Sequence, residues 1–195
     1  MNIAIVGAGA AGLFAASQLS ARKDVRVTIF EKSAKVGTKL RASGGGRANI
    51  LNTDIRPLHY NNPEFMEAFL AHVGYAEVRD AFAAMGLKMS VDEEGRVYPA
   101  TLFAPTVVNV LLDQLGPNVE VRCETPVQHL QFKGGKWQVN GEKTLFDRVI
   151  LASGSPAGMI ARNQQGYNSY LSDIKIDIKN LTPSLSGFKI KDYPS

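Results

Sequence analysis

Hydrophobic positions along the chain fall into short runs of two kinds, and the first is the most regular. Ile3 to Val6 is uninterrupted, apolar and largely β-branched, which predicts a parallel strand covered on both faces rather than a half-exposed one. A glycine-rich corner follows, then a helix over about Ala10 to Arg22 and a second strand over Val25 to Phe30. Asn62-Pro63 supplies a cap residue and a proline at the first helical position. Beyond it Phe65, Met66, Phe69, Leu70 and Val73 share one helix face, with Gly74 placed to end the helix. Tyr75 to Met85 reads as another helix, closed by Gly86.

Leu87 to Val91 and Arg96 to Tyr98 flank the turn Asp92-Glu93-Glu94-Gly95, which predicts a hairpin. Pro105 opens a helix that turns Val107, Val108, Leu111, Leu112 and Leu115 inward, and Val119 to Cys123 then reads as a parallel strand with Cys123 buried in it. Val127 to Phe132, Lys136 to Val139 and Lys143 to Phe146 are separated by Gly134-Gly135 and Asn140-Gly141, the pattern of a small antiparallel meander. Arg148 to Ala152 is again a buried-strand run and stops at Ser153-Gly154. Past Ser155 the pattern loosens. Ile174, Ile176 and Ile178 alternate with polar residues, as do Phe188 to Lys191, which predicts half-exposed strands. The alternation of strands and helices makes the chain α/β, with a first domain over 1–158, including the meander at about 126–146, and the incomplete start of a second over 159–195.

The first corner carries the clearest chemistry. Gly7 permits a tight turn out of the strand, Gly9 exposes bare backbone to a pyrophosphate, and Gly12 lets the helix lie close to the sheet. Ala10 and Ala11 stand at the helix start, where unpaired N–H groups and the positive dipole end favour phosphate. Glu31 closes the second strand at about the 20-residue interval where an acid hydrogen-bonds a ribose, and its charge argues against an NADP adenosine there. Strand, turn, helix, strand and acid in that order point to a dinucleotide clamp.

After Glu31 the stretch from Lys32 to Asn52 is basic and rich in glycine, and it lacks helical periodicity. It reads as a loop held against something anionic or planar, with Gly44, Gly45 and Gly46 baring the main chain and Arg47, Asn49 and Asn52 offering donors.

Composition narrows the class. The chain has 195 residues, 45% of them hydrophobic and 21% charged, ordinary values for a globular protein with one good core. Its formal charge of +4 comes from scattered Lys and Arg, so no nucleic-acid partner is expected. Cys123 is alone, which excludes an internal disulfide, and no apolar stretch approaches the roughly 20 residues of a membrane span. With a strand starting at residue 2 there is no room for a signal peptide, and a cytoplasmic location without membrane contact is expected. His72 reads as a packed or exposed imidazole, Trp137 as a packing residue, and the three acids of the hairpin turn as solvated. No Ser-His-Asp set, metal spacing or CxxC pair is present, so no catalytic residue is assigned and no metal is expected.

These residues together resemble the HI0933-like family of FAD-dependent oxidoreductases, also called BaiN-type or YhiN-type flavoproteins, within the glutathione-reductase-like class of Rossmann folds. Five pieces carry the resemblance: Gly7 to Gly12, Glu31-Lys32, the signature-like run Gly37-Thr38-Lys39-Leu40 with Ser43 to Asn49, Gly95-Arg96-Val97-Tyr98-Pro99, and Ala152-Ser153-Gly154. The resemblance implies a glutathione-reductase-type FAD-binding domain. FAD would meet Ala11 and Gly12 at its diphosphate, Glu31 at its ribose, and Lys39, Arg47 and Asn49 along the ribityl and flavin side. Val127 would meet the adenine through its backbone, and Ala152 and Gly154 would lie beside the diphosphate and ribose. It further implies a nicotinamide, NAD(P)H, as electron donor and reduction of an unsaturated or carbonyl small-molecule substrate.

Two departures stand out. The family's usual cysteine is Ala48 here, which removes a thiol from beside the flavin. Family members also continue into an inserted domain and a returning C-terminal segment that completes the flavin site, so a missing half, or a second chain in its place, is implied. An alternative of another class is a non-catalytic module that holds FAD or its ADP part.

Overall fold

A computed structural model describes residues 1–155 and 169–175 of the chain. β1 (Asn2–Val6), α1 (Ala10–Ser20) and β2 (Arg26–Phe30) form the opening unit, followed by α2 (Thr38–Ala42), a 3₁₀ turn at Ser43–Gly46 and β3 (Leu51–Asn52). Next come α3 (Pro63–Leu70), α4 (Tyr75–Ala84), β4 (Met89–Val91), β5 (Arg96–Pro99) and α5 (Ala104–Asp113). β6 (Val119–Arg122) leads into the meander β7 (Leu130–Lys133), β8 (Lys136–Val139) and β9 (Leu145–Phe146), then β10 (Arg148–Leu151) and a 3₁₀ helix at Ser169–Ile174.

The central sheet runs β10-β1-β2-β6, every pair parallel. Side chains alternate across it. Ile3, Ile5, Val27 and Ile29 face a helical layer that includes Leu13 and Ala16 of α1 and Val107, Val108 and Leu111 of α5. Ala4, Val6 and Phe30 face the meander through Leu130, Val139 and Phe146, and Tyr170 and Leu171 pack into the same cluster. Because both faces are covered, β1 has no polar position after Asn2, and that is why its apolar run is continuous. The result is the Rossmann-type α/β fold that the pattern predicts, with a three-stranded antiparallel sheet (β3-β5-β4) beside it.

The structure differs from the pattern at several places, each for a local reason. The stretch predicted as loop after Glu31 contains α2, one turn of helix set by Gly37 in the left-handed region (φ 68) with its N–H donating to Ala8 O at 2.8 Å. β7 starts at Leu130 rather than Val127. Asn140 captures the preceding residues, its Oδ1 accepting from the Gln128 and His129 N–H groups at 2.8 and 3.1 Å and its Nδ2 donating to Pro126 O. Cys123 lies just past β6 and is half-buried, because the strand ends at Arg122 and the chain turns through Glu124 at φ 54. Ile174 ends a 3₁₀ helix instead of opening a strand; Ile176, Ile178 and Phe188 to Lys191 lie outside the described residues.

α3 is capped as expected, Asn62 Oδ1 accepting from the Phe65 N–H. Its apolar face is not covered by any described residue, however: Phe65 is 65% exposed and Phe69 47%. Among the described residues no helix is long and apolar enough to cross a membrane, and no cluster of His, Cys, Asp or Glu is arranged to hold a metal.

One ion pair fastens the sheet's first strand. Asp147, between β9 and β10, accepts from the Asn2 N–H at 2.7 Å and from the Lys136 ammonium. The Lys136 hydrogen bond first, and the Asn2 amide second, hold its carboxyl below the usual aspartate value. A depressed carboxyl stabilises the fold fully above the unfolded value of about 3.9 and loses that contribution as the pH falls through the folded value. Asp147→Asn should therefore lower the urea midpoint at neutral pH and flatten its fall below about pH 4, read from denaturation curves across that range.

Candidate functional site

The corner between β1 and α1 is built by three glycines with separate tasks. Gly7 sits at φ 103 and donates its N–H to Phe30 O at 2.8 Å. A Cβ there would stand 2.6 Å from Ala152 O, so Gly7 allows the ends of β1 and β10 to touch. A Cβ on Gly12 would stand 1.9 Å from Gly7 O, so α1 can fold back onto its own turn only without a side chain. A Cβ on Gly9 would meet nothing within 4 Å, which leaves its backbone open to a ligand.

The first helical hydrogen bond of α1 runs from Leu13 N–H to Gly9 O at 3.0 Å. Helix geometry leaves the N–H groups of Ala10, Ala11 and Gly12 without helical acceptors, and the side chains of Ala10 and Ala11 are exposed. Glu31, at the end of β2, turns back to this corner. Its Oε2 accepts from the Ala8 N–H and its Oε1 from the Ser33 N–H, both at 2.8 Å. The carboxylate is thus fixed by two amides, and each oxygen keeps a further lone pair for a hydroxyl donor.

Positive charge gathers on the adjoining rim. Lys39 projects from α2 and donates to Ser155 O, just beyond Ala152 and Gly154, the latter at φ 73. Partial burial first, and the neighbouring charge of Lys32 second, hold the Lys39 ammonium below its ordinary value. Two cations that oppose one another in this way are relieved by an anion between them.

The Ser43–Gly46 turn carries Gly44, Gly45 and Gly46 at φ 57, 65 and 83. Gly44 is structural, since a Cβ on it would meet Asn49 N at 2.6 Å, whereas Gly45 and Gly46 face open space. Ala48 is buried and left-handed at φ 58, its N–H donating to Ser43 O at 2.9 Å. Arg47 is exposed, donates to Gly44 O, and places its guanidinium 4.8 Å from the centre of the Tyr98 ring. Asn49 is also exposed.

Val127 lies in the cluster on the meander side, partly buried. The segment leading to it runs beside Glu31, with Thr125 N–H donating to Glu31 O and Glu124 N–H to Ser33 O. The structure therefore brings Gly7 to Gly12, Glu31, Lys32, Lys39, Ala152 and Gly154 to one end of the parallel sheet. It places Arg47, Gly45, Gly46 and Asn49 on a flanking loop and ties that loop to β5. Tyr98, Ser155 and the Ala8 amide belong to this constellation and were not assigned a role from sequence. Tyr98 could have been found from its aromatic character within Gly95 to Pro99, while a contact to Ser155 has no sequence signal.

Residues 1–191 match the family model described as HI0933-like protein Rossmann domain. The chain belongs to this family of FAD-dependent oxidoreductases. It is 31% identical over 99% of its length to a 3-dehydro-bile acid delta(4,6)-reductase of Clostridium scindens, covering 48% of that protein. It is 32% identical over 77% of its length to a ribosomal RNA dihydrouridine synthase of Haemophilus influenzae, covering 39% of that one. The chain thus spans about half, or less, of the length of these two relatives. Among solved structures, THI4 of Thermovibrio ammonificans is similar at 18% identity with a TM-score of 0.47, over 78% of this chain and 57% of that one. FAD is the cofactor that family membership brings, and the open Gly9 backbone, the close-packed Gly12 and the lysine rim fit it.

Proposed function

We propose that this chain forms the FAD-binding part of an oxidoreductase that saturates a carbon–carbon double bond conjugated to a carbonyl in a small-molecule substrate, with NAD(P)H as donor. The observation that carries the reading is the β1–α1 corner, where one glycine is open, one is closed by packing, and Glu31 is locked to the Ala8 amide. The diphosphate would take the free N–H groups of Ala10, Ala11 and Gly12, with Lys32 and Lys39 balancing its charge. Glu31 would accept from the adenosine ribose, and Val127 would meet the adenine through its backbone.

FAD, when bound, supplies two-electron hydride chemistry that no amino-acid side chain provides. The positive charge of Arg47 on the loop beside the ring would favour the reduced, negatively charged cofactor. The bile-acid reductase named above supports the small-molecule substrate class, and the ribosomal RNA dihydrouridine synthase supports only the type of reduction. A bile-acid delta(4,6)-reductase and a dihydrouridine synthase each leave a saturated bond where the substrate had one conjugated to a carbonyl. Family membership favours redox work over a module that merely holds a nucleotide.

The test is an absorbance spectrum of the purified protein with added FAD, followed by NAD(P)H and an enone. Bound, reducible flavin that is reoxidised by the enone supports the reading; colourless protein that takes ADP alone contradicts it. Arg47→Ala should weaken FAD binding by about 5- to 50-fold, the range of one or two hydrogen bonds to a charged group, measured by flavin fluorescence titration. Unchanged affinity in that variant would remove the loop from the site.

A further inference from the structure

The side chain of Asn140 grips the backbone on either side of Val127. Its Oδ1 accepts from the Gln128 N–H at 2.8 Å and the His129 N–H at 3.1 Å, and its Nδ2 donates to Pro126 O at 2.9 Å. We propose that Asn140 is a positioning residue for the cofactor's base: it turns the N–H and C=O of Val127 outward together, as a donor–acceptor pair that takes adenine and rejects a 6-oxopurine. The inference rests on the flavin reading above, which sets adenine against the Val127 backbone, and adds what fixes that edge and what the edge selects.

The geometry follows from the planarity of the peptide. In a trans peptide the C=O and the N–H that follows it point in opposite directions, and no peptide bond among the described residues is cis. Pro126 O points at Asn140, so the Val127 N–H, the other end of that peptide, points away. The Gln128 N–H points at Asn140, so the Val127 C=O points away as well. Both groups of Val127 therefore lie side by side opposite Asn140, and neither has a hydrogen-bond partner among the described residues. The Val127 side chain packs against the meander cluster, which leaves the backbone as the part of this residue that a ligand can reach.

Asn140 is itself held in place. It sits at φ 50, in the left-handed region that asparagine tolerates, and its N–H donates to His129 O at 2.9 Å. The chemistry also settles which end of its amide is which, since Oδ1 faces two donors and Nδ2 faces a carbonyl.

Such a pair discriminates between bases. The six-membered edge of adenine offers an acceptor at N1 and a donor at N6, the complement of an N–H beside a C=O. A 6-oxopurine offers N1–H and O6, which sets donor against donor and acceptor against acceptor. Thr125 N–H donates to Glu31 O at 2.8 Å, and Val127 lies two residues further on, about 7 Å of extended chain. A base whose ribose is held at the Glu31 carboxylate is thus kept from turning its edge end for end to correct the mismatch.

The test is calorimetric titration of the chain with ADP and with inosine diphosphate, which differ at that edge alone. Wild type should bind ADP more tightly by about tenfold or more, and its Val127 amide proton should move downfield with ADP only. Asn140→Gly removes all three contacts and keeps the backbone, because glycine adopts φ 50 freely. It should weaken ADP by about tenfold, leave inosine diphosphate within about twofold and so abolish the preference. Asn140→Asp keeps the two accepted bonds and loses the one to Pro126 O, so it should retain part of the preference, its added charge acting on both nucleotides alike.

Failure of wild type to bind ADP, equal affinity for the two nucleotides, or a Val127 amide unmoved by saturating ADP would overturn the proposal. So would an undiminished preference in both variants, or a loss in Asn140→Gly that is the same for both nucleotides, as general loosening of the meander would give. The two readings fail separately. A chain that prefers ADP through Val127 but takes no FAD loses the flavin assignment alone, and one that binds and reduces FAD yet treats the two nucleotides alike loses the Asn140 assignment alone.

Discussion

Gly12→Ala should lower the melting temperature by about 6–12 °C, while Gly9→Ala, three residues earlier, should leave it within about 2 °C and still weaken FAD binding at least tenfold. The contrast follows from what each new methyl meets. On Gly12 it would stand 1.9 Å from Gly7 O, a backbone atom fixed by the N–H bond of Gly7 to Phe30 and by contact with Ala152. Relief requires α1 to lift from the turn, opening the contacts of Leu13 and Ala16 with the sheet, at a cost of about 3 kcal/mol or more. For a domain of this size each kcal/mol moves melting by about 2–4 °C. On Gly9 the methyl meets nothing in the protein, and φ is −83, which alanine adopts freely. The methyl would instead occupy the space across which a diphosphate comes against the backbone. Differential scanning calorimetry and a flavin titration on the two variants separate a folding glycine from a binding glycine.

The second large effect is expected at Glu31. Replacement by Ala removes the acceptor of the Ala8 N–H, whose residue is fully buried, and of the Ser33 N–H. An amide left unpartnered in such a place costs about 1–3 kcal/mol, so melting should fall along with cofactor affinity. Affinity should drop by about 10- to 100-fold, because the lost carboxylate both accepts from a ribose and keeps the glycine corner in shape. Glu31→Gln keeps the side chain's shape but not its two acceptors. Its amide retains one acceptor and turns a donor toward the other N–H, so stability should fall nearly as far as in Glu31→Ala. Measured FAD and ADP affinities should fall together in both variants, since the contact lies on the adenosine side. Loss of FAD affinity with ADP affinity intact would place Glu31 elsewhere along the cofactor.

The parts of this molecule that are legible in its sequence are those fixed by nearest neighbours. An unbroken apolar run at Ile3 to Val6 can only be a strand covered on both faces, and the structure covers it with α1 and α5 on one side and the meander on the other. The glycine turns at 134–135 and 140–141 demand left-handed backbone, so the meander follows from them. What is not legible depends on contacts between segments far apart. The start of β7 is decided by Asn140, 10 residues beyond Leu130, whose side chain takes over amides that a ladder would have used. α2 has no periodicity to betray it, being five residues long and positioned by the bond of Gly37 to Ala8. The apolar stripe of α3 predicts burial, yet no described residue covers Phe65 or Phe69.

At the candidate site the same division holds. Glycine spacing and the acid after the second strand are local signals and place the corner correctly in the fold. That Glu31 would accept from Ala8, that Lys39 would reach Ser155, and that Arg47 would lie over Tyr98 are consequences of tertiary packing.

The central claim is that a flavin dinucleotide lies across the β1–α1 corner with its diphosphate on the α1 amides. Amide chemical shifts of ¹⁵N-labelled protein during an FAD titration test it residue by residue. The account predicts the largest shifts at Gly9, Ala10, Ala11 and Gly12, with accompanying shifts at Glu31, Gly45 and Gly46. Saturating FAD that leaves those seven resonances in place, whatever else it moves, would contradict it.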